Sequence, residues 1–329
     1  MAEPAEIDDI NVAHSALRAW DSVVGNAHPE PMPLVHNQVW QVFAEDGRRY
    51  VLKRLPEFAP GAGPVDTFRV LSHLQAAGVP VVLPVVTDQA TIHTVQADRT
   101  YSLSSFVPSD SGNHELGPSA GETSYAVGAA IAKLDRALAE CPWQPKSYVD
   151  DPVPQALGEA LPSLPPELTG PVAPLARHLG ATASGLPVQR THGDCNTGNV
   201  LVRDRQVSGF IDIDHLPLGP RVRDLSYYLA SRLHTHVNHR QDAERHTAAM
   251  LAVLGEYVAG YHETYPLSDR ELAAVVPLML LVEIGSASWA LHGWNPDLAT
   301  YRRSATTITW ITDHLDELTD AAALPSTGA

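Results

Sequence analysis

The spacing of apolar residues changes once along this chain, and the change limits the folds that the sequence can adopt. In the first third, strand-like runs flank turn residues, as in NQVWQVFAEDGRRYVLKRL (37–55), where Asp46-Gly47 is typical of a hairpin. From residue 122 onward, apolar residues instead recur at every third or fourth position, as on one face of a helix. The pattern predicts a β-rich N-terminal part and a mainly helical C-terminal part.

The N-terminal part is predicted to be a small sheet accompanied by helices. Helical spacing over 9–24 precedes the hairpin, and a helix over 65–78 stops at Gly78. We place the end of this lobe at residue 107, with a hinge at 103–110. The remaining strands of the sheet are predicted near 81–87, 91–96 and 102–108.

The C-terminal lobe, 108–329, is predicted to be helical apart from one hairpin. Nine prolines within 142–174 predict an irregular connection with at most one short helix. Pro277 is expected to kink or start a helix. The helices themselves are predicted near 223–234, 242–264, 269–292 and 301–318.

The composition is that of an acidic globular protein. Its 329 residues suffice for two lobes, and 22 basic against 38 acidic side chains give a net charge of −16. This charge argues against a nucleic-acid partner and suits a cationic small molecule, although an acidic surface also serves solubility alone. Two cysteines without a C-x-x-C spacing, and no apolar run of membrane-spanning length, predict a cytoplasmic protein without membrane contact. We expect it to be a monomer or homodimer.

The segment THGDCNTGNVLV (191–202) concentrates short polar residues before a strand-like run. Such residues also form ordinary turns, so a loop without chemistry is the alternative. The runs NVLV and VSGFIDI around a charged turn predict a hairpin that brings Asp194, Asn199 and Asp212 to one end. Phosphoryl transfer needs such a set, because one carboxylate orients a hydroxyl group while a carboxylate and an amide oxygen hold Mg²⁺.

The pattern H-G-D-x-x-x-x-N followed by I-D-x-D resembles the superfamily of aminoglycoside phosphotransferases, choline kinases and type II homoserine kinases, over residues 37 to about 229. The resemblance implies an α+β, protein-kinase-like fold with two lobes, the first β-rich and the second mainly helical. It implies that Asp194 is the catalytic base, that Asn199 and Asp212 bind Mg²⁺, and that His192 supports the catalytic loop. Asp224 would cap a helix and brace that loop.

The nucleotide, ATP, is expected to bind the N-lobe. Lys53, on the predicted strand YVLKRL, is the candidate for the phosphates, although a solvent-facing lysine is the alternative. Asn37 lies in the glycine-free turn that would cover the phosphates. Ser104 and Phe106, within the predicted hinge, are further candidates.

The chain departs from the superfamily at one position of the N-lobe. Relatives usually carry a glutamate on the N-lobe helix that pairs with the lysine, and the helix sequence GPVDTFRVLSHL contains none. Asp66 and Glu57 are the nearest acids, and neither aligns cleanly with the missing residue.

The acceptor is expected to bind the C-lobe helices. Glu283, Trp289 and Trp294 would form a cage for a cationic amine, with Asp214 as a further candidate, whereas tryptophan packing in a core helix is the alternative. Four histidines in 234–246 are expected to lie in a solvated connection rather than a zinc site.

Together these features predict an ATP- and Mg²⁺-dependent kinase. Its acceptor would be a hydroxyl group of an amino alcohol, an amino sugar or an aminoglycoside antibiotic. The alternative is a nucleotide-binding protein of kinase-like fold without transferase activity. A protein kinase is disfavoured because the segment between Asp212 and Asp224 leaves little room for an activation loop.

Overall fold

The computed structural model describes residues 4–32, 39–55, 63–110, 113–144, 152–183, 185–293 and 296–324. The chain divides into two compact units. The first contains Met1–Pro108 and Trp143–Lys146, and the second contains Ser109–Pro142 and Ser147–Ala329.

The first unit contains an antiparallel sheet of five strands. Their order across the sheet is β1-β2-β3-β5-β4. The strands are β1 (Pro29–Pro31), β2 (Val39–Phe43), β3 (Arg49–Arg54), β4 (Thr94–Gln96) and β5 (Arg99–Ser105). The helices are α1 (Pro4–Leu17), α2 (Asp21–Val24) and α3 (Pro64–Ala76), and a 3₁₀ turn (Arg18–Trp20) joins the first two.

The sheet buries one of its faces. Because side chains alternate along a strand, Tyr50 and Leu52 of β3 point into the core while Val51 and Lys53 lie on the other face. Lys53 pairs with Val39 and Ser102 in the two neighbouring strands. The core face packs with buried residues of the helical segment, namely Ala13, Ala16, Leu17, Trp20 and Val24.

Most sequence predictions for this unit are confirmed, among them the helix α3, and one is wrong. Strands β2 and β3 form the predicted hairpin, and the helical segment predicted at 9–24 begins already at Pro4. The strand predicted near 81–87 is wrong, because Pro84 forms only an isolated bridge with Ser104. Proline has no N–H to donate to a strand ladder, and Pro80 and Pro84 interrupt this segment.

The second unit is mainly helical, with two small antiparallel sheets of two strands each. The pairs are β6 (Val188–Arg190) with β9 (Leu218–Pro220), and β7 (Val200–Arg203) with β8 (Gln206–Phe210). The helices are α4 (Ala120–Ala139), α5 (Pro152–Gln155), α6 (Leu161–Ser163), α7 (Pro166–Ala183), α8 (Val222–Val237), α9 (Ala243–Thr264), α10 (Asp269–His292), α11 (Leu298–Asp313) and α12 (Leu315–Ala321).

Helices α4 and α9 cross at unusually close range. A Cβ atom on Gly128 would overlap the carbonyl group of Tyr257, and one on Gly260 would overlap that of Tyr125. Glycine at both positions therefore allows the two backbones to touch. Tyr257 and Tyr261 lie on the buried side of α9, and their side chains are fully buried.

Helix α10 is the central helix of this unit and packs against α7, α8 and α11. By length and composition alone it would cross a membrane, but 67% of its most apolar window is buried within the protein. That burial is the pattern of a core helix. Helix α10 begins at Asp269 as predicted, and Pro277 lies inside it, so of the two alternatives for Pro277 the start of a helix is excluded.

The proline-rich connection is more helical than its sequence predicts. Helix α7 runs over 18 residues with Pro171 and Pro174 inside it. Each proline removes one backbone hydrogen bond. Leu168, Val172 and Ala176, spaced by four residues, are nevertheless buried along one side of the helix. We infer that the burial of this apolar stripe offsets the lost hydrogen bonds.

Candidate active site

The hairpin of β7 and β8 places two of the predicted metal ligands at the same end. Its two-residue turn consists of Asp204 and Arg205, whose φ angles are 51° and 66°, as in a tight hairpin turn. At the other end, the Ile211 N–H donates to the Asn199 carbonyl at 3.0 Å. Asn199 is therefore opposite Ile211, and Asp212 is the next residue along the chain.

The carboxylate of Asp194 is held by two asparagines of the same loop. Asn196 Nδ2 donates to one carboxylate oxygen at 2.9 Å, and Asn199 Nδ2 donates to the other at 2.9 Å. Asn199 Nδ2 also donates to the Asp194 carbonyl at 2.9 Å. Because these bonds use the amide nitrogen of buried Asn199, its amide oxygen is the atom suited to a metal ion.

His192 is fully buried and joins this loop to the hairpin. Its Nε2 lies 3.0 Å from the Ile211 carbonyl, and its Nδ1 lies 3.3 Å from the Asp194 N–H. Nδ1 therefore accepts and Nε2 donates, which describes a neutral ring with both nitrogens engaged. This arrangement suits a support of the loop better than a carrier of protons.

Side chains of helix α8 form hydrogen bonds with the backbone of the 191–199 loop. The Asp224 carboxylate accepts the N–H groups of His192 at 2.5 Å and of Gly193 at 3.0 Å. The guanidinium group of Arg223 donates to the Gly193 carbonyl at 2.9 Å, and Thr197 N–H donates to Ser231 Oγ at 3.2 Å. Asp224 braces the loop as expected, but it lies within the helix and does not cap it.

Sequence reasoning missed three residues that shape the loop: Asn196, Arg223 and Ser231. Only Asn196 had a local signal, since asparagine favours turns in which its side chain binds the backbone ahead. Its Oδ1 indeed accepts the N–H groups of Gly198 at 2.7 Å and Asn199 at 3.2 Å. The other two contacts join residues about 30 positions apart, which no local pattern shows.

Several acidic groups gather around the loop. Burial lowers the pKa of His215, against the opposing effect of Asp194, Asp214 and Asp212. Burial also raises the pKa of the Tyr227 hydroxyl well above its usual value, and the adjacent charge of Asp194, to which it is hydrogen-bonded, raises it further. The predicted base, Asp212 and Asp214 therefore share one negatively charged environment.

The donor set fits a hard cation such as Mg²⁺, which prefers carboxylate and amide oxygens. Asp212 has a φ of 61°, a left-handed conformation that is unusual for a residue other than glycine and common at functional sites. Across the described residues, no group of three histidine, cysteine, aspartate or glutamate side chains forms a metal cluster. The candidate set instead combines Asp212 with an amide, Asn199.

The nucleotide candidates of the first unit lie along β3 and β5. Ser104 pairs with Val51, on the same sheet face as Lys53. The Phe106 N–H donates to the Arg49 carbonyl at 2.9 Å, and the Arg49 guanidinium lies 4.0 Å from the centre of the Phe106 ring. Asn37 and Glu57 lie outside the described residues. Asp66, the other acid considered as a partner of Lys53, lies 3.5 Å from Arg69.

The acceptor candidates are only partly brought together. Glu283 is buried, contacts His234 Nδ1 at 3.1 Å, and is close enough to Tyr227 to raise the pKa of that hydroxyl. Trp289, which is 43% exposed, lies about 9 Å further along α10 and about 120° around its axis. The structure therefore does not bring Trp289 to Glu283, and Trp294 lies outside the described residues.

The histidine-rich segment is not the solvated connection that we expected. His236 and His246 are buried, and Asn113 Nδ2 lies 3.1 Å from His246 Nδ1. His236 Nε2 lies 3.4 Å from Glu115, which also pairs with buried Arg232. The expectation was wrong because these polar contacts, from distant parts of the chain, make burial of the histidines favourable.

Comparisons with known proteins identify the family of this chain. Residues 33–272 match the model of the phosphotransferase enzyme family, APH. Stress response kinase A of Salmonella paratyphi A is 25% identical over 284 residues, which cover 80% of this chain and 77% of the relative.

Solved kinase structures share the fold. A microcompartment-associated aminopropanol kinase gives a TM-score of 0.68 at 15% identity, with 96% of this chain and 99% of the other covered. Amicoumacin kinase hAmiN, in complex with AMP-PNP, Ca²⁺ and Ami, gives 0.64 at 17% identity, with 87% and 88% covered. The predicted α+β, kinase-like fold is thus confirmed. The chain belongs to the phosphotransferase enzyme family and is a small-molecule kinase.

Proposed function

We propose that the protein transfers the γ-phosphate of ATP to a hydroxyl group of a small, amine-bearing molecule. The observation that carries the proposal is the Asp194 carboxylate, held by Asn196 and Asn199 at the hairpin end that also bears Asp212. These hydrogen bonds fix the carboxylate, and because Asp194 is only half-buried it stays accessible to a substrate. This is the arrangement that a general base for a hydroxyl group requires.

Asp194 acts as that base. Its carboxylate accepts the hydrogen bond of the acceptor hydroxyl and takes the proton as the O–H bond breaks. The hydroxyl oxygen then bonds to the γ-phosphorus, the bond from that phosphorus to the β–γ bridging oxygen breaks, and ADP leaves. The hydrogen bonds from Asn196 and Asn199 keep the carboxylate in one orientation, which lowers the entropic cost of aligning the hydroxyl.

Asn199 and Asp212 hold Mg²⁺ through their side-chain oxygens. When bound, Mg²⁺–ATP supplies the phosphoryl group, and the metal ion neutralises the charge of the phosphate oxygens. Lys53 and Asn37 bind the phosphates, and Ser104 and Phe106 bind the rest of the nucleotide. Lys53 lies four residues along β3 from the position that bonds Phe106, about 13 Å, so the two contact different parts of an extended nucleotide.

The acidic surroundings of the loop support an amine-bearing acceptor. Asp194 is assigned to the hydroxyl and Asp212 to the metal, and Asp214 and Glu283 are the acids proposed to face the positive charge of the amine. The acceptor named for one structural neighbour, aminopropanol, is an amino alcohol and supports the same class. Because ATP is a cytoplasmic compound, we also propose a cytoplasmic location.

An ADP-release screen tests the function. The panel contains aminopropanol, choline, homoserine, amino sugars and aminoglycosides, each with a matched alcohol that lacks the amine. We expect turnover with at least one amine-bearing acceptor and weaker turnover with its uncharged match. Asp194→Ala should lower kcat at least ~10²-fold while calorimetry shows unchanged ATP affinity. Turnover that survives this substitution would remove Asp194 from the role of base.

One observation favours a second candidate, a nucleotide-binding protein without transferase activity. Among the described residues of α3, Asp66 is the one acid, and it lies beside Arg69. The described part of α3 thus contains no glutamate, which is the residue that relatives carry on this helix. ATP binding without phosphorylation of any acceptor, including a generic protein substrate and the enzyme itself, would favour this candidate.

A further inference from the structure

A second acidic residue lies directly beneath the catalytic loop. Asp135, on α4, is fully buried. Its Oδ2 accepts the hydroxyl group of Tyr261 on α9 at 2.7 Å. Its backbone carbonyl accepts Gln189 Nε2 at 2.6 Å, which links it to the strand that leads into the loop.

The other carboxyl oxygen of Asp135 has an unusual neighbour. Within the described part of the chain, no N–H or O–H group of another side chain or backbone reaches Asp135 Oδ1. The group in hydrogen-bonding reach is the carboxyl of Asp224, which is itself fully buried. Two carboxyl groups can share a hydrogen bond only when one of them carries a proton.

Asp224 is the partner that must remain ionised. Each of its oxygens already accepts a backbone N–H group, from His192 at 2.5 Å and from Gly193 at 3.0 Å. Hydrogen bonds of this kind stabilise the charged form of a carboxyl group. The proton therefore belongs on Asp135, whose Oδ2 receives only the neutral hydroxyl of Tyr261.

The charged groups around the pair do not change this assignment. Arg221, at the start of α8, lowers the pKa of Asp135 only weakly and forms a two-pronged ion pair with Glu271 at 2.6 and 3.0 Å. From the loop, Cys195 is buried, and burial raises the pKa of its thiol. For Asp135 itself, burial raises the pKa well above its usual value, and the charge of Asp224 raises it further.

We propose that Asp135 is a positioning residue of this kinase: it stays protonated and donates its proton to the Asp224 carboxylate. This bond fixes Asp224 against the N–H groups of His192 and Gly193, and so fixes the backbone next to Asp194. The inference rests on the proposed function only in identifying that loop as catalytic. The protonation state of Asp135 is a property of the folded chain that can be measured without substrate.

The first experiment is infrared spectroscopy of the full chain at neutral pH. A carboxylic acid and a carboxylate absorb at separate frequencies, so a protonated buried acid is visible against ionised surface groups. We expect a carboxylic acid band in the wild-type protein that disappears in Asp135→Asn and remains in Tyr261→Phe. Absence of the band, or a band that survives in Asp135→Asn, would overturn the proposal.

Stability provides an independent measurement that also needs no substrate. A carboxyl group with a raised folded-state pKa stabilises the fold fully at acid pH, and this contribution is lost as pH rises towards that pKa. The ratio of the folding equilibrium constant of Asp135→Asn to that of wild type should therefore rise about tenfold per pH unit above pH ~4. A ratio that does not vary with pH would contradict a protonated Asp135.

The second experiment measures turnover with an acceptor from the screen. Asp135→Asn keeps an N–H donor towards Asp224 and should retain at least about a third of wild-type kcat, whereas Asp135→Leu should lose about tenfold or more. Equal loss in both variants would overturn the positioning role. If no acceptor is found, the proposed function fails, while the infrared and stability measurements still decide the state of Asp135. They also decide it if Asp135→Leu does not fold.

Discussion

Asn199 donates two hydrogen bonds to Asp194, one to its carbonyl and one to its carboxylate, both at 2.9 Å. The same residue is opposite Ile211 across the hairpin. One side chain therefore fixes the proposed base, and its remaining oxygen is the proposed ligand of Mg²⁺. These two tasks can be separated by comparison with Asn196, which bonds Asp194 Oδ1 and is not a proposed metal ligand.

Asn199→Ala and Asn196→Ala should both slow catalysis, but only the first should change the response to Mg²⁺. We expect kcat to fall about 10²-fold in Asn199→Ala and about tenfold in Asn196→Ala, as one hydrogen bond to a charged group is lost in the latter. The measurement is a Mg²⁺ titration of initial rates. Equal half-saturating Mg²⁺ concentrations for Asn199→Ala and wild type would show that Asn199 is not a ligand.

Asp212 is expected to contribute both a ligand and an unusual backbone conformation. At a φ of 61°, alanine suffers the steric cost of the left-handed region and glycine does not. Asp212→Ala should thus be about 1 kcal/mol less stable than Asp212→Gly in urea unfolding, while both lose Mg²⁺-dependent nucleotide binding in calorimetry.

The hairpin turn supplies the matched control. Asp204 has a φ of 51° and an exposed side chain. Asp204→Ala should show a similar stability difference from Asp204→Gly, yet both variants should keep wild-type nucleotide binding. Loss of binding in these controls would mean that the Asp212 variants act through the hairpin as a whole.

Local sequence patterns predicted the hairpin, and with it the meeting of Asn199 and Asp212, because strand alternation and turn residues act over a few positions. They did not predict that Asp135 lies under the loop, since α4 and α8 meet only in the folded chain. They also failed for 81–87 and for α7, where packing and proline positions outweighed the local signal. The gathering of distant polar residues around Glu115 had no local pattern that could reveal it.

The pair of Glu115 and Arg232 should be the most costly ion pair to break. Both side chains are buried, and Arg232 Nε lies 2.6 Å from Glu115 Oε1. Arg232→Met would leave a buried carboxylate without its main partner, and we expect a loss of about 3–5 kcal/mol in unfolding free energy.

Arg205 and Glu122 provide the comparison, because they form a 2.9 Å pair whose side chains are 63% and 73% exposed. Arg205→Met should cost at most about 1 kcal/mol. Similar losses in the two variants, measured by denaturant unfolding under the same conditions, would refute a special role for the buried pair.

His114 should contribute to the sensitivity of the fold to acid. Burial lowers the pKa of this histidine to about 4, and its Nε2 lies 2.6 Å from the Tyr257 hydroxyl. Between pH ~6.5 and ~4 the unfolded chain binds a proton that the folded chain does not, so stability falls as pH decreases, by up to about 3 kcal/mol. Denaturant unfolding at several pH values should show that the free energy of unfolding decreases less over this window in His114→Gln than in wild type.

Glu115 contributes below that window with the same sign. Its pKa is lowered by hydrogen bonds with His236 and Arg232, which outweigh the opposing effect of burial. Its stabilisation is present above the unfolded pKa of ~4.5 and is lost as pH falls further. If the free energy of unfolding of His114→Gln decreased between pH ~6.5 and ~4 as much as that of wild type, His114 would not be the source of the decrease.

The contact of α4 with α9 leads to the last prediction. A methyl group at Gly128 would overlap the Tyr257 carbonyl, and relief requires α9 to move as a unit because the overlapped atom is backbone. Gly128→Ala should therefore cost several times the ~1 kcal/mol that alanine normally gains over glycine in a helix. Gly285, inside α10, has no atom of the described residues within 4 Å of such a methyl group, so Gly285→Ala should be neutral or stabilising. Urea unfolding of the two variants measures the difference.

Tyr257 donates a hydrogen bond to Glu115 at 2.7 Å, so a displaced α9 should also disturb the polar cluster around Glu115. The loss of stability at acid pH should therefore differ between Gly128→Ala and wild type. Equal stability of Gly128→Ala and Gly285→Ala would mean that α4 and α9 can move apart without loss of stability.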